Sequence, residues 1–265
     1  MKKLKIELDL LIIILMEALI LLFFFKETLL NILLGEVVGF ISVFFIKKIK
    51  INKVLEIVLL IVSIAIFPLV LNQVIQFISI NLLRNYPIYL LLFTFLLTAY
   101  LLARRGFHTF IKSLEISTYF FLIIKVISLI LILPNINFHN FNNQLLLETQ
   151  INIDFLYLSL AILFLFLSIK YLTNNSFHNL GYTLSIINPF IIKIITILSI
   201  GHTLFYLYDY PYVNLLKKIK YFDFIERMEG ILSFEYLFTY FFLVSFIMLL
   251  IVTTFKSIFG IKSGL

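Results

Sequence analysis

The chain has 265 residues, of which 62% are hydrophobic and only 13% charged, with a mean hydropathy of +1.11. A soluble domain of this size has no single core in which so much apolar surface could be hidden, so water is excluded as the solvent and a bilayer takes its place. The net charge of +7 and the complete absence of cysteine exclude disulfides, thiolate metal sites and cysteine nucleophiles; the basic excess suits anionic lipid headgroups better than nucleic acid.

A membrane span needs roughly 17–25 mostly apolar residues. Eight such stretches follow one another, near 8–25, 28–46, 54–82, 86–103, 114–133, 154–172, 184–207 and 231–255. They predict an all-α polytopic protein with one integral membrane domain over 1–265. The first span starts within ten residues of Met1 and has no small-residue cleavage site after it, so it is expected to remain as a helix. Lys26 alone separates it strongly from the second span, where Gly35 and Gly39 make a small-xxx-small face for close packing. The third span carries Pro68 and, along one face, Asn72, Gln73 and Gln76, which are able to hydrogen-bond across a bundle. Pro189 lies near the start of the seventh.

Lysine and arginine counts in short loops set an expected orientation. Lys2, Lys3 and Lys5, then Lys47, Lys48, Lys50 and Lys53, then Arg104, Arg105 and Lys112 all fall on one side of alternating spans. That side is expected to be cytoplasmic, with the amino terminus inside. The segment 208–230 falls on the opposite side by parity yet holds Lys217, Lys218, Lys220 and Arg227. Within it Leu215, Leu216, Ile219, Phe222 and Ile225 recur at roughly helical spacing, which predicts a short helix lying flat at the interface.

Three stretches in order carry a likeness to a known family. Leu83 to Tyr89 reads LRNYPIY before a hydrophobic span; Ala103 to Gly106 reads ARRG, followed by Lys112 and Glu115 and later by Leu133 to Asn137, LPNIN; Tyr210 to Tyr212 reads YPY, followed by Leu215 to Lys217, LLK, and Phe224 to Glu229, FIERME. Over about 54–254 the chain resembles the endospore germination permeases, the B subunits of GerA-type nutrient germinant receptors, within the amino acid-polyamine-organocation superfamily. The resemblance implies a truncated inverted-repeat (LeuT-like) transporter fold, an amino acid or similar nutrient as ligand, A-type and lipoprotein C-type receptor subunits as partners, and a bacterial cytoplasmic or spore inner membrane as the location. Family members hold ligand at broken first and sixth helices. Here Leu10 to Phe25 and Phe155 to Leu172 contain neither glycine nor proline, so both helices are expected to be continuous. Only nine residues follow Lys256, and the last two spans of the second repeat are expected to be missing.

Ionisable side chains deep in apolar helices cost an estimated 2.5–3.5 kcal/mol at the bilayer centre, which makes each a functional candidate. They are Glu17, Glu36, Lys125, Lys193, His202 and Glu235. Lys125, in the middle of the fifth span, is expected to pair with Glu17; resemblance to proton-coupled members of the superfamily gives that lysine a coupling role, and a structural ion pair is the competing reading. His202, after Gly201, is read either as a switch residue or as a satisfied interhelical hydrogen-bond donor. Glu36 is read as a packing residue. Arg105, Lys112 and Glu115, with Arg104, form a turn read either as a lipid-facing basic cluster or as a docking contact, and Glu226, Arg227 and Glu229 either as a helix cap or as a subunit contact. No phosphate-cradling glycine loop, paired-histidine metal motif or nucleophile motif is present, so neither enzymatic activity nor a cofactor is expected. The rival functions are a proton-coupled amino acid transporter and a non-transporting scaffold, the latter predicting no pocket between the first and sixth spans.

Overall fold

The computed structural model describes residues 2–82, 87–140, 152–173, 179–218 and 228–260. Among them there is no strand. Helix α1 (Lys2–Leu19) runs into a π-helical turn at Ile20–Phe24, and α2 (Leu29–Lys48), α3 (Lys53–Asn81), α4 (Ile88–Arg104) and α5 (Phe107–Ile132) follow. Two short 3₁₀ turns lead to α6 (Asp154–Thr173), α7 (Asn179–Ile200), the short helices α8 (His202–Leu207) and α9 (Pro211–Lys218), and the long α10 (Met228–Phe259).

Among the described residues five stretches are long and apolar enough to cross a bilayer, in α2, α3, α5, α6 and α10; Ile88–Arg104 and Ile187–Ile200 are apolar but shorter. The bundle is apolar on its outside too. Ile116, Ile123 and Ile130, spaced one heptad apart on α5, are 73%, 60% and 58% exposed. A continuous apolar face of this kind is stable only against hydrocarbon, so the protein is an all-α polytopic membrane protein.

Side chains define where the helices start and stop. Thr28 caps α2 by accepting from the Asn31 amide at 3.2 Å, and Asn52 caps α3 by accepting from the Leu55 amide at 2.9 Å. At the far end of α2, Lys170 donates to the carbonyls of Ile46 and Ile49, both at 2.6 Å, satisfying acceptors that lipid could not. Gly106 and Gly201 begin α5 and α8 with φ of +88° and +85°, a left-handed conformation that side chains with a Cβ resist. The seventh span of the sequence analysis is therefore broken, because the chain turns at Gly201 instead of continuing to residue 207.

The most extensive seam joins α2 to α6. A Cβ on Gly35 would lie 3.0 Å from the Phe155 carbonyl oxygen, and one on Gly39 would lie 2.6 Å from Ile162 Cδ1, so the small-residue face is in place as expected. On the other side of the bundle α10 packs against α3 and α4, and α1 lies between α5, α7 and α10.

Polar contacts sort the connections onto two ends. At one end the Gly181 amide donates to Asp9, Ser257 to Glu56, and Lys170 to the end of α2. At the other, Lys26 pairs with Asp209, Lys217 donates to Asn81, and Asn140 donates to the Leu198 carbonyl. The residues 208–218 thus share an end with the α1–α2 turn, as span parity requires despite their lysines. The flat interfacial helix predicted there is corrected in part. The described piece, α9, is helical, but Tyr212, Val213, Leu215 and Leu216 are buried against α7 and α10, so protein covers its apolar face in place of lipid. The remainder of the predicted helix lies outside the described residues.

Candidate functional site

Four helices bring charge together inside the bundle. Lys125 of α5 forms a direct ion pair with Glu17 of α1, and its Nζ lies 3.2 Å from Oε1 of Glu235 on α10. Both acids are buried, with side chains 8% exposed. The amide nitrogen of Asn188 on α7 donates to the other oxygen of Glu17 at 2.7 Å. Asn188 immediately precedes Pro189, which has no amide hydrogen for the carbonyl one turn back, so the helix backbone is already interrupted where this side chain enters the site. Ser128 donates to the Lys125 carbonyl at 2.8 Å and, its single hydrogen being used, accepts from the Tyr212 hydroxyl at 3.0 Å.

Two carboxylates around one ammonium carry one excess negative charge when all three are ionised. Such a group is held in a low-dielectric bundle only because each member is hydrogen-bonded, and its excess negative charge suits a further cation. The triad borders a cavity of 430 Å³, within the range of small-molecule sites, which opens sideways past the exposed side chains of Leu122, Val126 and Leu184. Ile13, Ile14, Phe121 and Phe242 supply apolar wall, and Thr118 and Thr239 supply hydroxyls. Those hydroxyls donate to the carbonyls one turn back, leaving their lone pairs toward any occupant.

The expected Glu17–Lys125 pair is formed. Glu235 and Asn188 complete the group, and of these only Glu235 stood out in the sequence, as one of several intramembrane acids. Asn188 carried a signal as well, a primary amide beside a proline inside an apolar run.

The other candidates lie elsewhere. His202 begins α8 at the far end of α7 and packs its ring 4.8 Å from that of Tyr206, away from the triad and outside its cavity. Lys193 donates to the Glu27 carbonyl and sits 5.3 Å above the Phe205 ring, capping the turn after α1. Glu36 is buried on the α2–α6 side, where the Tyr182 hydroxyl lies 2.6 Å from its carbonyl and 2.8 Å from its Oε2; the aromatic partner was not foreseen. Arg104, Arg105 and Lys112 are exposed around the α4–α5 turn, and Glu115 is half-buried with no ion pair to any of them. Asn72 and Gln76 are exposed; Gln73 and Gln76 line a 340 Å³ vestibule beside Lys26 and Asp209, and neither reaches across the bundle by a hydrogen bond. Glu226 and Arg227 lie outside the described residues, as does the side chain of Glu229.

Comparison with known proteins returns no match to any family model, curated protein or solved structure.

Proposed function

We propose that this chain is a spore germination permease-like membrane subunit that binds an amino acid or similar nutrient beside the Glu17–Lys125–Glu235 triad, acting with A-type and lipoprotein C-type receptor subunits. Its inverted-repeat (LeuT-like) fold sits in a bacterial cytoplasmic or spore inner membrane with the amino terminus inside. The ordered motifs LRNYPIY, ARRG and FIERME support the family reading, and the lysine-rich connections support the orientation. The observation that carries the ligand reading is the juxtaposition of charges of both signs with an apolar cavity. An amino acid is a zwitterion: its ammonium suits the excess carboxylate, its carboxylate suits Lys125, and an apolar side chain suits the wall of Ile13, Phe121 and Phe242.

Calorimetry on the full chain in nanodiscs, with and without the partner subunits, tests this. Apolar amino acids are expected to give saturable heat that Glu235→Gln weakens by about tenfold or more, the scale of one charge-assisted hydrogen bond. Absence of heat from every amino acid in both preparations overturns it.

The second reading is proton-coupled transport. An ammonium shared between two carboxylates can hand its salt bridge from one to the other as a proton or ligand arrives, which favours a moving part over a fixed scaffold. Uptake into proteoliposomes that is driven by a pH gradient and abolished in Lys125→Ala supports it; uptake that survives the substitution removes the mechanism.

A further inference from the structure

A second cavity, of 490 Å³, lies on another side of the molecule from the triad, between the π turn and α3, α6 and α10; it lies between the first and sixth spans, where the scaffold reading expected no pocket. It is a groove: Leu69 on α3 and Tyr157 on α6 form its rims and are 62% and 60% exposed, so it opens sideways onto the surface that faces lipid. Ala161 and Phe246 are among its walls, and its only carboxylates are Glu27 and Asp154. Along α6 the groove runs from Asp154 to Leu165, about 16 Å at 1.5 Å per residue. Half of a hydrocarbon core of about 30 Å has nearly the same depth. The two acids stand at the end of the bundle, at headgroup level, and the apolar walls reach down to the midplane.

The two acids are held against each other: the Glu27 and Asp154 carboxyls share a side-chain hydrogen bond, and Asn31 bonds Glu27 as well. Burial and the neighbouring charge of Asp154 raise the Glu27 carboxyl above the usual carboxylate range, while the side-chain hydrogen bond from Asn31 and then the charge of Lys193, whose ammonium is bonded to the Glu27 carbonyl, lower it less. Lys26, next in sequence, pairs with Asp209 instead. Two carboxyls that share one proton still carry a negative charge at the mouth of the groove, which suits a cation there.

We infer that this groove holds one phospholipid of the leaflet at that end, its acyl chain lying along α6 and its headgroup a primary ammonium that donates to Glu27 and Asp154. A primary ammonium has three N–H donors for two carboxylates, whereas a trimethylammonium has none and a glycerol headgroup brings no positive charge. Phosphatidylethanolamine therefore fits, and phosphatidylcholine and phosphatidylglycerol do not.

Native mass spectrometry of the full chain released from nanodiscs of mixed phosphatidylethanolamine, phosphatidylcholine and phosphatidylglycerol tests the assignment. The protein is expected to retain the ethanolamine lipid about fivefold over each of the others, the size of one charge contact at headgroup level. The double variant Glu27→Gln, Asp154→Asn should lose that preference while still carrying lipid, and Ala161→Phe, or the smaller Ala161→Leu if the first does not fold, should release it. Equal retention of the three lipids by the unaltered protein, an unchanged preference in the double variant, or undiminished lipid in the Ala161 variants overturns the proposal. So does capture of free ethanolamine without lipid, which would make the acids a soluble-amine site.

Discussion

The two seams of this bundle are held by opposite means. Between α2 and α6 the helices touch through Gly35 and Gly39, and the buried acid there, Glu36, meets a single neutral partner, Tyr182, at Oε2, while its Oε1 has no hydrogen bond. Around α1, which packs against α5, α7 and α10, the helices border a 430 Å³ cavity and are joined by charge. Close packing has one good geometry and resists displacement. An ammonium between two carboxylates has at least two, and the cavity leaves room to exchange them. The first seam is therefore the frame and the second the part able to respond to a ligand.

The sharpest way to break this contrast is Lys125→Ala. It leaves two buried carboxylates without their cation, and a loss of about 3–5 kcal/mol in unfolding stability is expected, with most of it recovered in the triple variant Glu17→Gln, Lys125→Met, Glu235→Gln. Unfolding of the reconstituted protein followed by circular dichroism reads both; a loss near zero for the single variant would mean that the charges hold nothing. Next comes Gly39→Val, whose Cβ meets Ile162 at Cδ1, Cγ2 and Cβ, the last at 3.2 Å, so that rotation of the Ile162 tip alone does not clear it. The same measurement should show a loss of about 1–3 kcal/mol, relieved by Ile162→Ala and with ligand heat at the triad unchanged.

A smaller effect separates the acidic mouth of the lipid groove from both seams. Because the Glu27 carboxyl is raised by burial and by Asp154, its protonated form is favoured in the folded protein. Its stabilising contribution is present below the unfolded carboxylate range and is lost as pH rises through the raised value. A pH series of unfolding transitions should accordingly show stability falling across that window in delipidated protein, and Glu27→Gln should flatten it. Smallest is Lys26→Ala. The Lys26–Asp209 pair spans 3.4 Å with side chains 41% and 79% exposed, so zero to about 1 kcal/mol is expected, disappearing in high salt.

Much of the frame was legible in the residues. Glycines four apart on an apolar helix announce a close neighbour, although they do not say which helix it is; α6 is that neighbour because Phe155, Leu158 and Ile162 present the complementary surface. The site was legible only in half. Glu17 and Lys125 stand out as charges in lipid-length helices, but Glu235 had several rivals of equal standing, and the signal at Asn188, an amide beside Pro189, did not say what it would meet. His202 and Lys193 carried the same signal as Lys125 and ended elsewhere, because a left-handed turn at Gly201 moves the histidine out of its span and a lysine stem is long enough to reach a carbonyl at the helix end.

Composition and apolar run length determined by themselves that this protein lives in a bilayer as a bundle of helices, since backbone polar groups in hydrocarbon must be satisfied within each helix and that requirement is local. Which helices meet was decided only in three dimensions. Lys125 is 108 residues from Glu17 along the chain, and the pairing depends on the rotation and depth of each helix, quantities that no periodicity within a single segment specifies.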